Sequence, residues 1–224
     1  RYKQKLKTEG GKWNPTYAAM IEAVDKSVGR IRDKLRELGI EDNTLVFFSS
    51  DNGGLPMVTN NAPLHGGKGS LFEGGIRVPT CAAWPGVIAP GTTCDTPILS
   101  VDFMPTFTEL AGAELPSEQP VDGQSIVPLL EGKPALEDRA VFWHFPLYLS
   151  GGGGPGGKVL PVAETDVLYW RGVPASAIRR GDWKLIHYFE DDSVKLFNLR
   201  DDISESHDLA AEQPERAAKL LKQL

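Results

Sequence analysis

Two stretches of this chain carry residue types that could do chemistry. Asp51-Asn52-Gly53-Gly54 sets a carboxylate beside an amide carbonyl. Both are hard oxygen donors, suited to Ca2+ or Mg2+ and poorly suited to zinc, which prefers His and Cys. The same four residues are turn formers, so an Asx-Gly turn is the plainer reading on spacing alone. Further on, Lys68 stands among Gly66, Gly67 and Gly69. Glycines there let backbone approach a ligand closely, and the lysine adds one compact positive charge, as an oxyanion site requires. The Gly-x-x-x-x-Gly-Lys-Ser/Thr spacing of a phosphate loop is absent. A glycine loop with an exposed lysine therefore stands beside the anion reading.

Both stretches need a scaffold, and the flanking sequence supplies one. Asn14-Pro15 offers an N-cap followed by proline at the first helical position. Tyr17, Met20, Ile21, Val24, Val28, Ile31, Leu35 and Leu38 then recur in steps of three and four. That period predicts one long amphipathic helix, closed by Gly39 as a left-handed cap. Thr44 to Ser50 is apolar on both faces and predicts a buried strand of a parallel sheet, with Asp51-Asn52 where it runs out. Ligands gather outside the carboxyl ends of such strands. A second strand is predicted at about Arg77 to Trp84, a helix from Ser100 or Asp102 through Leu110, and a helical turn at Ser125 to Leu130. Residues before about Lys12 are charged and aperiodic, and read as a surface arm.

The character changes near residue 140. Gly151 to Gly157 is a flexible loop on composition. Short strands are predicted at Ser176–Arg179, Trp183–Phe189 and Val194–Asn198, the last two forming an antiparallel hairpin about Glu190-Asp191-Asp192-Ser193. Pro214 opens a terminal helix with Ala217, Leu220, Leu221 and Leu224 on one face. The fold class is therefore α/β, with the domain division placed at 1–140 and 141–224.

Composition bounds the partners. With 41% hydrophobic residues among 224, a core can form and disorder is not the default. Thirty acidic against 24 basic residues give a net charge of −6, which argues against a nucleic-acid partner. No apolar run approaches the roughly 20 residues that span a bilayer. Cys81 and Cys94, the two cysteines, leave one bridge or two free thiols open.

In order and together, the motifs resemble a known family. Ser50-Asp51-Asn52-Gly53-Gly54, Gly66-Gly67-Lys68-Gly69 and Glu73-Gly74-Gly75-Ile76-Arg77-Val78-Pro79 resemble the run that closes the catalytic domain of type I sulfatases, in the alkaline-phosphatase-like superfamily. Tyr17–Glu22 with Asp25 and Val28-Gly29 is similar to the helix before that run. Trp84-Pro85-Gly86, Ser100–Thr106 and Asp122–Ser125 are similar to its continuation. Ile178–Ile186 and Leu196–Leu199 resemble the small carboxyl-terminal subdomain. The resemblance covers residues from about 14 to the end.

It implies the carboxyl-terminal part of a mixed or parallel sheet domain in 1–140, and a small subdomain with an antiparallel sheet and terminal helix in 141–224. Asp51 and Asn52 match two ligands of a divalent cation, Ca2+ or Mg2+. Lys68 matches the lysine that holds sulfate oxygens and steadies the leaving group. His144, in Phe142-Trp143-His144-Phe145-Pro146, matches a histidine-aromatic-proline element that lines a substrate pocket; a structural histidine is the alternative. His65 stands where relatives often carry arginine, with its role open, and Arg77 reads as a structural anchor. The implied reaction is sulfate-ester hydrolysis by a formylglycine made from Cys or Ser. Neither Cys81 nor Cys94 sits in its maturation motif, so that residue is expected upstream of this chain, and the chain alone is expected to be inactive. The implied partner is a sulfated small molecule or sulfated glycan, the implied location periplasmic or secreted. Open strand edges would favour self-association. Two competing functions share these motifs: a phosphate or phosphonate monoester hydrolase of the same superfamily, and a non-catalytic sulfated-glycan-binding fragment.

Overall fold

The computed structural model describes residues 1–9, 14–56, 58–133, 139–150 and 170–224. The Gly151–Gly157 loop and the stretch that follows it lie outside them. Described residues gather into two compact units, one of 1–21, 52–78 and 140–224, the other of 22–51 and 79–139.

The charged amino-terminal segment forms a helix, α1 (Tyr2–Glu9), where the sequence suggested only an arm. α2 spans Pro15–Glu37. It begins as its sequence dictates, because Asn14 Oδ1 accepts from the N–H groups of Thr16 (2.9 Å) and Tyr17 (3.1 Å). It ends with Gly39 at φ +66°, while Ile40 N–H reaches back to Leu35 O (3.1 Å) and Gly39 N–H to Arg36 O (3.1 Å). Those two bonds make a Schellman close that needs a residue without Cβ penalty at Gly39. The apolar stripe of α2 is present but uncovered: Met20, Val24 and Ile31 are 61%, 50% and 58% exposed.

In the second unit, β1 (Val46–Phe48) pairs antiparallel with β2 (Cys81–Ala83), Val46 facing Ala83 and Phe48 facing Cys81. The predicted parallel, wholly buried strand is thus corrected among the described residues: β1 belongs to a two-stranded ribbon, and Phe48 is exposed. An apolar run cannot by itself distinguish a parallel interior strand from a short ribbon. Phe47 packs edge-on against Phe103 (centroids 5.0 Å) at the start of α4 (Phe103–Leu110).

The unit turns on Asp102, which is wholly buried. Its carboxylate accepts from Leu99 N–H (2.7 Å), Gln124 N–H (2.9 Å) and both terminal nitrogens of Arg139 (2.9 and 2.8 Å). A buried charge is tolerable only when paired and hydrogen-bonded in this way. Thr106 extends the network, donating to Asp102 O (2.6 Å) and accepting from Ile126 N–H (3.0 Å), just before α5 (Val127–Leu130).

The first unit is built on a four-stranded antiparallel sheet of β3 (Ala140–Phe145), β6 (Ala175–Arg180), β7 (Trp183–Tyr188) and β8 (Val194–Asn198), in that order. β4 (Leu149–Ser150) and β5 (Trp170–Gly172) form a small separate ribbon. Side chains alternate between the sheet's faces. One face carries Trp143, Ala175, Ala177, Ile186 and Phe197 and packs on Leu71, Phe72 and Ile203. The other carries Ile178, Leu185 and Leu196 and packs on Ala217 and Leu220 of α6 (Pro214–Leu221).

Candidate functional site

Asp51 and Asn52 fall in the bend after β1, as the sequence suggests. Asp51 is exposed, and Ser50 Oγ lies 3.5 Å from its Oδ1. What fixes the turn is the glycine pair behind it. Gly53 N–H donates to Gly75 O (2.9 Å) and Gly54 O accepts from Lys68 N–H (3.0 Å). Asn61 Nδ2 bridges Gly54 O (2.8 Å) and Gly66 O (3.1 Å). The Asn52 turn and the Lys68 loop are therefore joined through their backbones, with Lys68 left exposed to solvent.

This joint explains the glycines. A Cβ on Gly53 would lie 2.7 Å from the Gly74 carbonyl carbon and 2.9 Å from Gly75 Cα. One on Gly67 would lie 2.6 Å from Gly54 O. Both are closer than any real side chain sits, so the residues are glycine because two backbone segments touch there. Within the loop, Ser70 Oγ donates to Gly67 O (3.0 Å), and Gly74 N–H donates to His65 O (2.7 Å). The His65 ring packs against Phe72 at 4.2 Å between centroids, the two planes inclined by 40°. The loop closes in a short helix, α3 (Glu73–Ile76), whose first three residues are buried.

Glu73 is the residue that sequence reasoning missed, together with Lys184 and Glu205. Lys184 Nζ on β7 is fully buried and donates to Glu73 Oε1 (3.0 Å) and Glu205 Oε1 (2.7 Å). Glu205 Oε2 accepts from Glu73 N–H at 2.6 Å. Arg77, read as an anchor, approaches the Glu73 carboxylate at 3.4 Å, and Arg179 at 3.9 Å. Burial pushes the Glu205 carboxyl above its ordinary range, against the opposing pull of Lys184. Glu205 also sits at φ +50°, a left-handed conformation that a non-glycine residue holds only where its surroundings demand it. A signal was available: alternation along β7 puts Lys184 on the same side as Ile186, where an apolar residue belongs.

His144 does not join Lys68. It pairs across the sheet with Ser176, which pairs in turn with His187, so the three lie in a row on the α6 face. Leu71 and Phe72, next in sequence to the Lys68 loop, pack on the opposite face. The His144 ring nitrogen Nδ1 lies 2.7 Å from Ser176 Oγ, and its ring is 5.8 Å from that of Phe189. Its neighbour Phe145 is closer to the loop: Gly172 of β5 lies directly against Gly69 O, and a Cβ there would lie 3.0 Å from the Phe145 ring.

The donor chemistry of Asp51 and Asn52 fits a hard cation, as contributors. Calcium takes roughly 6–8 oxygens. Among the described residues, no group of three or more His, Cys, Asp or Glu gathers around a point that could hold a metal. Cys81 and Cys94 are both free and exposed. No helix among the described residues is long and apolar enough to cross a membrane.

Comparison with known proteins gives the site its context. Residues 5–113 match the sulfatase family model. The chain is 38% identical over 232 residues to a sulfatase of Formosa agariphila, spanning 96% of this chain and 38% of that protein. It is 38% identical over 138 residues to human steryl-sulfatase, covering 58% of this chain and 24% of that one. Among solved structures, Ps i-CgsB in complex with k-i-k-neocarrahexaose superposes with a TM-score of 0.76 at 32% identity, over 95% of this chain and 42% of that chain. A phosphonate monoester hydrolase of Agrobacterium radiobacter superposes with a TM-score of 0.65 at 25% identity, over 93% and 40%. The chain thus spans about two-fifths of the length of its full-coverage relatives. It belongs to the sulfatase family, and its α/β fold is that of the carboxyl-terminal part of the alkaline-phosphatase-like architecture.

Proposed function

We propose that the protein carrying this chain hydrolyses sulfate esters, with Asp51 and Asn52 as cation ligands and Lys68 as the group that meets the sulfate oxygens. The observation that supports this is the backbone joint, in which Gly53 N–H to Gly75 O and Lys68 N–H to Gly54 O tie the segment that follows Asn52 to the lysine loop. A bound Ca2+ or Mg2+ would supply Lewis-acid stabilisation of the sulfate oxygens. Lys68, flexible beyond its fixed backbone, would follow charge as it develops on the departing oxygen. The family uses a formylglycine nucleophile, proposed to lie outside this chain along with the remaining cation ligands. The 224-residue chain alone is therefore proposed to be inactive and to bind the cation weakly.

A sulfated glycan is the favoured substrate class, since a solved relative binds a neocarrahexaose. For His144 the proposal is narrower: it would contact a substrate long enough to extend past the end of β3, and a small aryl sulfate would not reach it. The domain division at residue 140 and a periplasmic or secreted location stay part of this reading. So does self-association of the isolated chain, for which the uncovered stripe on α2 speaks.

The test pairs sulfate and phosphate esters of one aryl alcohol on the full-length protein. Lys68→Ala should lower kcat/KM for the sulfate by about 10²–10³, the usual loss when one preorganised charge donor is removed. Preferred turnover of the phosphate would move the assignment to the phosphonate hydrolase branch. Turnover of the sulfate unchanged by Lys68→Ala would refute the role given to Lys68.

A further inference from the structure

We infer that Lys184 is a positioning residue for this site, holding the Lys68 loop and the Asn52 turn in register by clamping Glu73 from beneath. The inference rests on the site reading above and adds to it a residue 111 positions from its partner. The chain of contacts is continuous. Lys184 Nζ grips the Glu73 carboxylate at 3.0 Å, and Glu205 grips both Lys184 (2.7 Å) and the Glu73 backbone N–H (2.6 Å). Glu73 is therefore held by its side chain and its main chain together. It opens α3, whose Gly75 O accepts the Gly53 N–H next to Asn52. Gly74 N–H ties the same helix to His65 O, at the near side of the Lys68 loop.

The charges make the clamp specific. Glu73 and Glu205 are buried with Lys184, and Arg179 and Arg77 flank Glu73 at 3.9 and 3.4 Å. A displaced Glu73 would leave the buried Lys184 ammonium with one partner, which a buried charge tolerates poorly. The apolar side chains beside it, Leu71 and Phe72, could slide on the sheet at much smaller cost, because apolar contacts are non-directional. The ion set, not the apolar packing, therefore fixes where along the sheet the loop sits.

The experiment is a double-mutant cycle in the full-length protein, reading kcat/KM on an aryl sulfate. Lys184→Met keeps the length of the side chain and removes its charge. Alone it should lower kcat/KM by about 10–100-fold, the scale of a misplacement near 1 Å. In a Lys68→Ala background its loss should be several-fold smaller than in the parent, because one of the two groups it positions is gone and only the part that comes from the Asn52 turn remains. Amide exchange supplies a second reading: Gly53, Lys68 and Gly74 should exchange faster in Lys184→Met, while β7 and β8 keep their protection. If the two losses multiply in full, Lys184 acts on the fold at large and the inference is overturned. If Lys68→Ala has no effect by itself, the site reading falls and carries this inference with it. Should Lys184→Met fail to fold, Glu205→Gln replaces it, with the same pattern expected at smaller amplitude and the same outcomes overturning it.

Discussion

Replacing Gly53 by alanine is the sharpest single test of the backbone joint. The added methyl would sit 2.7 Å from the Gly74 carbonyl carbon and 2.9 Å from Gly75 Cα, with the Gly74 oxygen nearer still. Unstrained carbon–carbon contacts lie near ~3.5–4.0 Å, so relieving the carbon contacts alone parts the segments by about 1 Å, and the nearer oxygen requires more. Neither obstacle is a flexible side-chain end; both are main chain. Parting stretches the 2.9 Å bond from Gly53 N–H to Gly75 O, a net loss of ~1 kcal/mol, and overpacking adds ~1–3 kcal/mol. The sum is about 2–4 kcal/mol of stability, with about 10²-fold lost from kcat/KM because Asn52 shifts relative to Lys68. Gly29→Ala is the control: it lies inside α2, nothing approaches its would-be Cβ within 4 Å, and alanine favours helix by ~0.5–1 kcal/mol. Urea unfolding and aryl sulfate kinetics on both variants decide the matter. Equal stability and equal activity in the two would refute the claim that Gly53 is glycine because backbone touches backbone.

Two further outcomes follow from the buried charges. Asp102→Ala should cost about 3–5 kcal/mol in denaturant unfolding, since Arg139 and two backbone N–H groups lose their shared acceptor; a loss under 1 kcal/mol would mean that the hub is dispensable. Because burial raises the Glu205 carboxyl, the folded protein binds that proton more tightly than the unfolded chain, and the associated stability is complete below pH about 4.5 and declines as pH rises through the raised value. Denaturation of the wild type and Glu205→Gln from pH 4.5 to 7 should show the wild type losing ground to the variant with rising pH, and a gain would contradict the sign.

What could be read from the sequence was local. α2 announced itself through the Asn14 cap, a three-four apolar period and Gly39, all within one segment. The β7–β8 hairpin did so through its polar turn. β3 escaped notice because Phe142 and Phe145, on opposite faces, are both aromatic, which blurs the two-residue period. α3 escaped because two of its four residues are glycine, the poorest helix former after proline. At the site, Asp51, Asn52 and Lys68 were visible as chemical types beside glycines. Their mutual placement was not, since it depends on hydrogen bonds between residues 14 and 22 positions apart, Gly54 with Lys68 and Gly53 with Gly75. The Glu73–Lys184–Glu205 set was further beyond reach, its members separated by 111 and 21 positions. His144 shows the opposite case: its type suggested a pocket, and only the register of β3 against β6 reveals which side of the sheet it occupies.

The clamp on Glu73 also determines how this site can fail. An apolar seat would let the loop drift by fractions of an ångström, and damage would accumulate smoothly with each small substitution. An ammonium held between two carboxylates acts as a detent instead: the loop is seated or it is out, with no comfortable stop between. Weakened forms should therefore contain a mixture of fully competent and wholly incompetent molecules. Where all three ions are kept, turnover per seated molecule would stay at the parent's value while the seated fraction fell; only loss of Lys184 itself, which removes the detent, would let the loop shift by degrees.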